Sequence, residues 1–169
     1  MLSLFSTVLL SLAQLNTPAP ELTGVRWLNT PDGKPITLAA RHGKVTVVEF
    51  WTFGCINCRH NLPSYARWYR QFAAKDVAII GVHTPEMSSE YDPANVARSV
   101  RELGIEYPVL LDNDYENWKR WQQKYWPAVY VVDKHGRIRY RWEGELNYDN
   151  AGGEAAIAGV IEKLLAEAN

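Results

Sequence analysis

The chain has 169 residues, of which 47% are hydrophobic, and its 18 basic residues nearly balance its 19 acidic ones. This length suits a single domain with a real core, and the composition excludes wholesale disorder. A formal net charge of −1 also argues against a basic surface for nucleic acid or anionic membranes, so we expect no nucleic-acid partner.

The N-terminal segment, residues 1–15, reads MLSLFSTVLLSLAQL and is apolar. It is too short for a transmembrane helix and suits the hydrophobic region of a signal peptide, although the basic residues that usually precede such a region are missing. We expect residues 1–20 to be a signal peptide or an N-terminal tether, and residues 21–169 to form the domain. The protein would then be exported, to the periplasm or another extracytoplasmic site, and tethered to the membrane if the segment is kept. The alternatives are a frayed apolar terminus and an incomplete gene start.

Strands and helices alternate along the rest of the chain. The turn Pro31-Asp32-Gly33-Lys34 predicts a β-hairpin over residues 25–38. Apolar, β-branched runs predict buried strands, and apolar residues at helical spacing predict helices. Strands are predicted at residues 45–51, 77–83, 107–111, 128–133 and 137–142, and helices after Cys58, from Asp92, over residues 113–123 and around residues 157–165. This order indicates an α/β domain with a mixed central sheet flanked by helices.

The two cysteines, Cys55 and Cys58, form one Cys-x-x-Cys motif between a predicted buried strand and a predicted helix. Free N–H groups and the positive end of the helix dipole stabilise a thiolate there, and thiolate is the nucleophile of disulfide exchange. Cys55 is therefore predicted to attack, and Cys58 to resolve the mixed disulfide. A bridge between them closes too short a loop to stabilise the fold much, which argues against a purely structural pair.

A zinc site is the other chemistry that a cysteine pair can support. Zinc needs two more ligands, and His42, His60 and His83 lie at no recognised spacing. We therefore expect no metal and no organic cofactor. An inert cysteine pair is the remaining alternative.

Glu49 stands in the apolar run VTVVEFW, six residues before Cys55. A carboxylate buried in a strand is costly unless it has a partner or a task, and burial raises its pKa. Glu49 is therefore predicted to accept the proton of Cys58, the alternative being a structural glutamate with a partner.

Pro127 follows Trp126 and precedes the predicted strand at residues 128–133. A proline at the start of a strand has no N–H for the ladder, and it leaves the preceding backbone free to pair with an extended substrate. The alternative is an ordinary trans-proline that bounds a loop.

The segments VVEFWTFGCINC and WPAVYVVDKHGRIRYRWEGE, with Pro63 between them, resemble the thioredoxin superfamily. The likeness is strong to extracytoplasmic thioredoxin-like proteins of the TlpA/ResA type, and stronger still to the thioredoxin-like C-terminal domain of DipZ-type proteins. It extends from about residue 25 to the C terminus. It implies a thioredoxin fold with an N-terminal β-hairpin extension and an inserted β-α element.

The resemblance also implies roles for individual residues. It implies a nucleophile at Cys55, a resolving thiol at Cys58 and a buried acid at Glu49. It further implies a cis-proline at Pro127, which together with Trp126 would line the substrate-binding site.

Two departures from thioredoxin lie at the cysteines themselves. Gly54 replaces the tryptophan that usually precedes the first cysteine, and Ile56-Asn57 replaces Gly-Pro between the two. Because Ile56 and Asn57 carry no charge, the thiolate depends mainly on the helix terminus, which favours a reducing couple.

These observations predict a thiol–disulfide oxidoreductase that acts as a monomeric reductant on disulfide-bearing protein substrates. A separate membrane protein would supply its electrons, and the likeness to cytochrome-c-maturation thioredoxins points to that pathway. One alternative is a non-catalytic binding module that keeps the fold. The other is a peroxiredoxin-like thiol peroxidase, because Thr52, three residues before Cys55, matches part of the motif Pro-x-x-x-Thr-x-x-Cys, although Val48 stands at its proline position.

Overall fold

The structure, a computed structural model, describes residues 15–168, so residues 1–14 of the predicted signal segment lie outside the described residues. The strands are β1 (Trp27–Leu28), β2 (Thr46–Trp51), β3 (Ala78–His83), β4 (Val109–Leu111), β5 (Ala128–Val132) and β6 (Ile138–Glu143). The helices are α1 (Ile56–Gln71), α2 (Pro93–Glu102), α3 (Glu116–Arg120) and α4 (Gly153–Ala166). Among the described residues, no helix combines the length and apolar character that crossing a membrane requires.

Six strands form one mixed sheet in the order β1-β4-β3-β2-β5-β6. The strand β2 lies inside it, parallel to β3 and antiparallel to β5, and all its residues are buried. This topology confirms the predicted thioredoxin-like α/β fold, and it brings the chain out of the sheet at the end of β2, where the two cysteines follow.

The predicted N-terminal hairpin over residues 25–38 is wrong, because its second half forms no strand. The strand β1 pairs antiparallel with β4 rather than with a hairpin partner, and residues 36–38 are not part of any strand in the described chain. The backbone N–H groups of Leu38 and Ala39 donate instead to the carboxylate of Glu21, at 2.5 and 3.0 Å. A side-chain acceptor thus satisfies the backbone where a strand partner was expected.

Two apolar clusters cover the two faces of the sheet. Because side chains alternate along a strand, Val47, Glu49 and Trp51 of β2 face one cluster, and Val48 and Phe50 face the other. The first cluster lies between the sheet and the helices α1, α2 and α4, whereas the second lies on the side of α3 and of the chain before β1. The one acidic residue of β2 therefore points into the apolar layer beneath α1.

Candidate active site

Cys55 caps the N-terminus of α1, at the end of the short loop that follows β2 (residues 52–55, the cysteine loop). Its Sγ accepts a hydrogen bond from the backbone N–H of Cys58 at 3.2 Å, as a capping side chain does. Cys55 is half-buried, whereas Cys58, one turn into the helix, is completely buried. One sulfur thus reaches solvent and the other lies beneath it, an arrangement that suits a nucleophile and a resolving thiol.

The two thiols differ in acidity. The pKa of Cys55 falls to about 7, first because the Cys58 thiol donates a hydrogen bond to it and then because backbone N–H groups of Cys58 and Asn57 do, against the opposing effect of burial. Burial raises the pKa of Cys58 above its ordinary value, and the neighbouring Cys55 and Glu49 raise it further. At neutral pH the outer sulfur is therefore available in part as thiolate, while the inner one stays a thiol.

Glu49 lies in the middle of β2, wholly buried, as the sequence predicts. Tyr107 donates its hydroxyl to Glu49 Oε1 at 3.1 Å, and Oε2 has no hydrogen-bond partner among the described residues. Burial raises the pKa of Glu49 well above its usual value, the Tyr107 hydrogen bond opposes that shift, and the charge of Cys55 adds to it. A carboxyl group with a raised pKa can take up and return a proton near neutral pH.

Two residues that complete this site, Gly81 and Tyr107, are not identified by the sequence analysis. Gly81 pairs with Glu49 across β2 and β3. A Cβ at position 81 would lie 2.8 Å from Glu49 Oε1, closer than such contacts come, and 3.2 Å from Cε2 of Tyr107, which is a tight contact. The missing side chain leaves room for the carboxyl–phenol pair, and a glycine inside a buried strand is the signal that points to such a close approach.

The Trp126–Pro127 peptide bond is cis, as predicted. Pro127 is buried and Trp126 is half-buried, with its indole packed against that of Trp118 at 4.1 Å between ring centroids. Because β5 runs antiparallel to β2, Pro127, just before β5, lies beside the end of β2 from which the cysteine loop leaves. The two predicted substrate-binding residues therefore border the same edge of the sheet as the cysteines.

A second buried carboxylate, that of Glu90, holds the cysteine loop from outside. Its Oε1 accepts the N–H of Gly54 at 2.8 Å, and its Oε2 accepts those of Glu86 and Met87 at 2.6 and 2.8 Å. Burial acts to raise the pKa of Glu90, but hydrogen bonds from the Thr52 hydroxyl and from these N–H groups outweigh it and hold the pKa below its usual value. No pattern in the sequence distinguishes this glutamate from a surface acid.

The same contact accounts for the departure from thioredoxin at Gly54. A Cβ there would lie 2.7 Å from Glu90 Oε1 and 2.3 Å from Cε of Met87. The space that a tryptophan side chain would need is thus already filled by the segment that carries Glu90. The Met87 side chain is half-exposed on this side of the molecule, next to the cysteine loop.

The histidine beside the site, His83, packs under the cysteine loop. Its ring stacks on Phe53 at 5.6 Å between centroids, and its Nε2 lies 3.4 Å from Thr52 Oγ1. Burial lowers the pKa of His83 to about 4, so the ring is neutral at pH 7 and supports the loop as a packing partner. Within residues 15–168, no three His, Cys, Asp or Glu side chains are grouped so that they could hold a metal ion.

Comparisons with known proteins agree with this geometry. Residues 15–141 match the family model of the AhpC/TSA family. The chain is 45% identical to Protein DipZ of Mycobacterium bovis over 132 residues, which is 78% of this chain but 19% of DipZ. It therefore spans about a fifth of the length of that relative. It is also 30% identical over 128 residues to the thiol-disulfide oxidoreductase YkuV of Bacillus subtilis, covering 75% of this chain and 84% of YkuV.

Solved structures give the same result for the fold. The crystal structure of a thioredoxin-like superfamily protein superimposes with a TM-score of 0.78 at 27% sequence identity. The superposition covers 89% of this chain and 97% of that one. The resemblance inferred from the sequence motifs is therefore confirmed over nearly the whole described chain.

Proposed function

The chain belongs to the AhpC/TSA family, and from that premise we propose that it is a thiol–disulfide oxidoreductase acting on disulfide-bearing protein substrates. The observation that carries this proposal is the pairing of a half-exposed Cys55 of lowered pKa with a buried Cys58 of raised pKa. Such a pair divides the reaction into an attack by the outer sulfur and a release by the inner one.

The reaction begins when the Cys55 thiolate attacks one sulfur of a substrate disulfide. The substrate S–S bond breaks, a mixed disulfide forms at Cys55, and the first substrate thiolate leaves. Glu49 then takes the proton of Cys58, whose sulfur attacks Cys55 Sγ. The Cys55–Cys58 bond forms, the electron pair of the mixed disulfide leaves with the second substrate sulfur, and the substrate is reduced by two electrons while the protein is oxidised.

Trp126 and Pro127 form the substrate-binding part of this site. Their backbone lies at the sheet edge beside the cysteine loop, so an extended segment of substrate can lie across it. The half-exposed indole of Trp126 offers apolar area for the residues that flank the substrate cysteine. No organic cofactor or metal enters this scheme, since both electrons and both sulfur nucleophiles come from the dithiol.

We propose that the protein works outside the cytoplasm as a monomeric reductant. A separate membrane protein would reduce its Cys55–Cys58 disulfide after each turnover. The apolar residues 1–15 support export, and the uncharged Ile56-Asn57 pair supports a reducing couple. An exported dithiol meets an oxidising setting, so it needs a dedicated donor to stay reduced. Maturation of cytochrome c, in which a haem-binding cysteine pair must be reduced, is the process that we propose for it.

Reduction of insulin disulfides, with dithiothreitol as the donor, tests the exchange activity. We expect turnover by the wild-type protein and none by Cys55→Ser. Equilibration with glutathione buffers tests direction: a potential well below that of the glutathione couple is expected, and one as oxidising as that of dedicated disulfide donors would refute the reductant role. An apocytochrome peptide with an oxidised Cys-x-x-Cys-His motif tests the proposed process.

The AhpC/TSA match also keeps a thiol peroxidase as the second candidate, with Cys55 as the peroxide-reactive sulfur. In the structure the Thr52 hydroxyl is buried and lies 3.4 Å from Nε2 of His83, in addition to its hydrogen bond with Glu90. The Thr52 hydroxyl is thus engaged by Glu90 and His83. Consumption of hydrogen peroxide at a rate that exceeds insulin reduction would favour the peroxidase over the oxidoreductase.

A further inference from the structure

The Glu49 carboxyl group has two oxygens with different surroundings. Oε1 accepts the Tyr107 hydroxyl at 3.1 Å, while Oε2 has no hydrogen-bond partner among the described residues although it is buried. We propose that Tyr107 is a positioning residue, which holds Glu49 by Oε1 so that Oε2 is left to exchange a proton with Cys58. This inference rests on the proposed function and adds to it the residue that prepares the buried acid.

Tyr107 is itself held firmly, which a positioning role requires. Its side chain is 1% exposed and packs edge-on against the rings of Tyr65 and Tyr69, with centroids 6.4 and 6.2 Å away. Its backbone carbonyl accepts a hydrogen bond from Nδ2 of Asn29 at 3.0 Å. The phenol oxygen therefore has little freedom to leave Glu49, and Gly81 leaves the space in which the two groups meet.

The hydroxyl also affects the charge state of the acid. In a dry site a carboxylate is disfavoured, and a donated hydrogen bond stabilises it relative to the carboxylic acid. Burial and the nearby Glu49 both raise the pKa of Tyr107, so the phenol keeps its proton and remains a donor throughout the working range. Other titratable groups also face this acid from the elements around it. They are Cys55, which caps α1, and Cys58 and Tyr65 within α1.

Of these neighbours, Tyr65 is the matched control. It is fully buried and lies close enough for the charge of Glu49 to raise its pKa. Its hydroxyl, however, contacts Asn61 Nδ2 at 3.4 Å rather than the carboxyl group. Tyr65→Phe and Tyr107→Phe thus remove the same atom from the same apolar layer, and only the second removes a donor to Glu49.

The experiment follows the Glu49 carboxyl carbon by NMR in protein labelled with ¹³C-glutamate, using Glu49→Gln to assign the signal. We expect Tyr107→Phe to raise the titration midpoint by about one pH unit or more, because a hydrogen bond to a charged group is lost. The acid limb of the insulin-reduction profile should move by the same amount. Tyr65→Phe should leave both in place, and 3-fluorotyrosine at position 107, a stronger donor of the same shape, should move both to lower pH.

Equal shifts in the two phenylalanine variants, or an unmoved midpoint in Tyr107→Phe, would overturn the proposal. The fluorotyrosine variant decides the matter if Tyr107→Phe does not fold, since it is nearly isosteric with the wild type. The carboxyl titration needs no substrate. A wild-type protein that reduces no disulfide would refute the proposed function, while the titration would still show whether Tyr107 controls the protonation of Glu49.

Discussion

Removing the Glu90 side chain should destabilise the protein far more than removal of a neighbouring surface glutamate. Glu90 accepts backbone N–H groups from Gly54, Glu86 and Met87 at 2.6 to 2.8 Å. The Glu90→Ala variant would leave these donors without their acceptor. The Glu90 side chain is 0% exposed, so the carboxylate is shielded from water while it holds these donors.

The size of the effect follows from these three hydrogen bonds. A buried donor left without a partner costs about 1–3 kcal/mol, so the sum is on the order of 3–9 kcal/mol. The donors themselves lie near the surface, where water can reach them once the side chain is gone, and the lower end of that range is the expectation. A loss of about 3 kcal/mol is a large share of the roughly 5–15 kcal/mol by which a domain is folded.

Urea unfolding of the reduced protein at pH 7 measures this loss. The control is Glu86→Ala in the same segment. Because the Glu86 side chain is exposed, its removal should change the free energy of unfolding by no more than about 0.5 kcal/mol. Because the folded state holds the pKa of Glu90 below 4.5, its contribution is present above that pH and is lost as pH falls through the lower folded value. The wild type and Glu90→Ala should therefore converge in acid. A loss below about 1 kcal/mol at pH 7 would refute this reasoning.

Three further predictions concern the cysteine loop and the acid beneath it. Iodoacetamide should label Cys55 with a midpoint near pH 7 and leave Cys58 unlabelled in the folded protein. The variant Cys58→Ser should accumulate mixed disulfides that mass spectrometry detects. Faster labelling of Cys58 than of Cys55 would reverse the two roles. Glu49→Gln should slow insulin reduction near neutral pH. Burial raises the folded-state pKa of Glu49 above 4.5, so the wild type loses stability as pH rises. The glutamine variant should therefore be the more stable of the two in urea at alkaline pH. A difference in unfolding free energy between them that stays the same at every pH would contradict this. Gly54→Ala should lower the free energy of unfolding by about 1–3 kcal/mol, because its Cβ has no room beside Glu90. If the variant unfolds at the same temperature as the wild type, the loop accommodates the Cβ and the prediction is wrong.

Much of the site could be predicted because its signals are local. The run VTVVEFW predicts a buried strand, and Cys55 directly after it falls where a helix begins, so strand, turn and helix N-terminus follow from neighbouring residues. The lone acid Glu49 in an apolar strand is likewise visible within a few positions, whereas the cis bond before Pro127 follows only from the resemblance to thioredoxin-like proteins. The strand, the helix start and the buried acid each depend on short-range chemistry, namely side-chain periodicity and helix capping.

The partners of the buried carboxylates were decided by the tertiary structure. Tyr107 meets Glu49 from 58 positions away, and Glu90 reaches Gly54 across 36 positions. The prediction of an N-terminal hairpin is wrong for the same reason, namely a partner that is distant in the sequence. Glu21 accepts a backbone N–H group 17 positions away, in a segment that the local sequence pattern assigns to a strand. A buried polar atom must find a partner, but nothing in its local sequence says which one, because the choice depends on which strands and loops the packed core brings beside it.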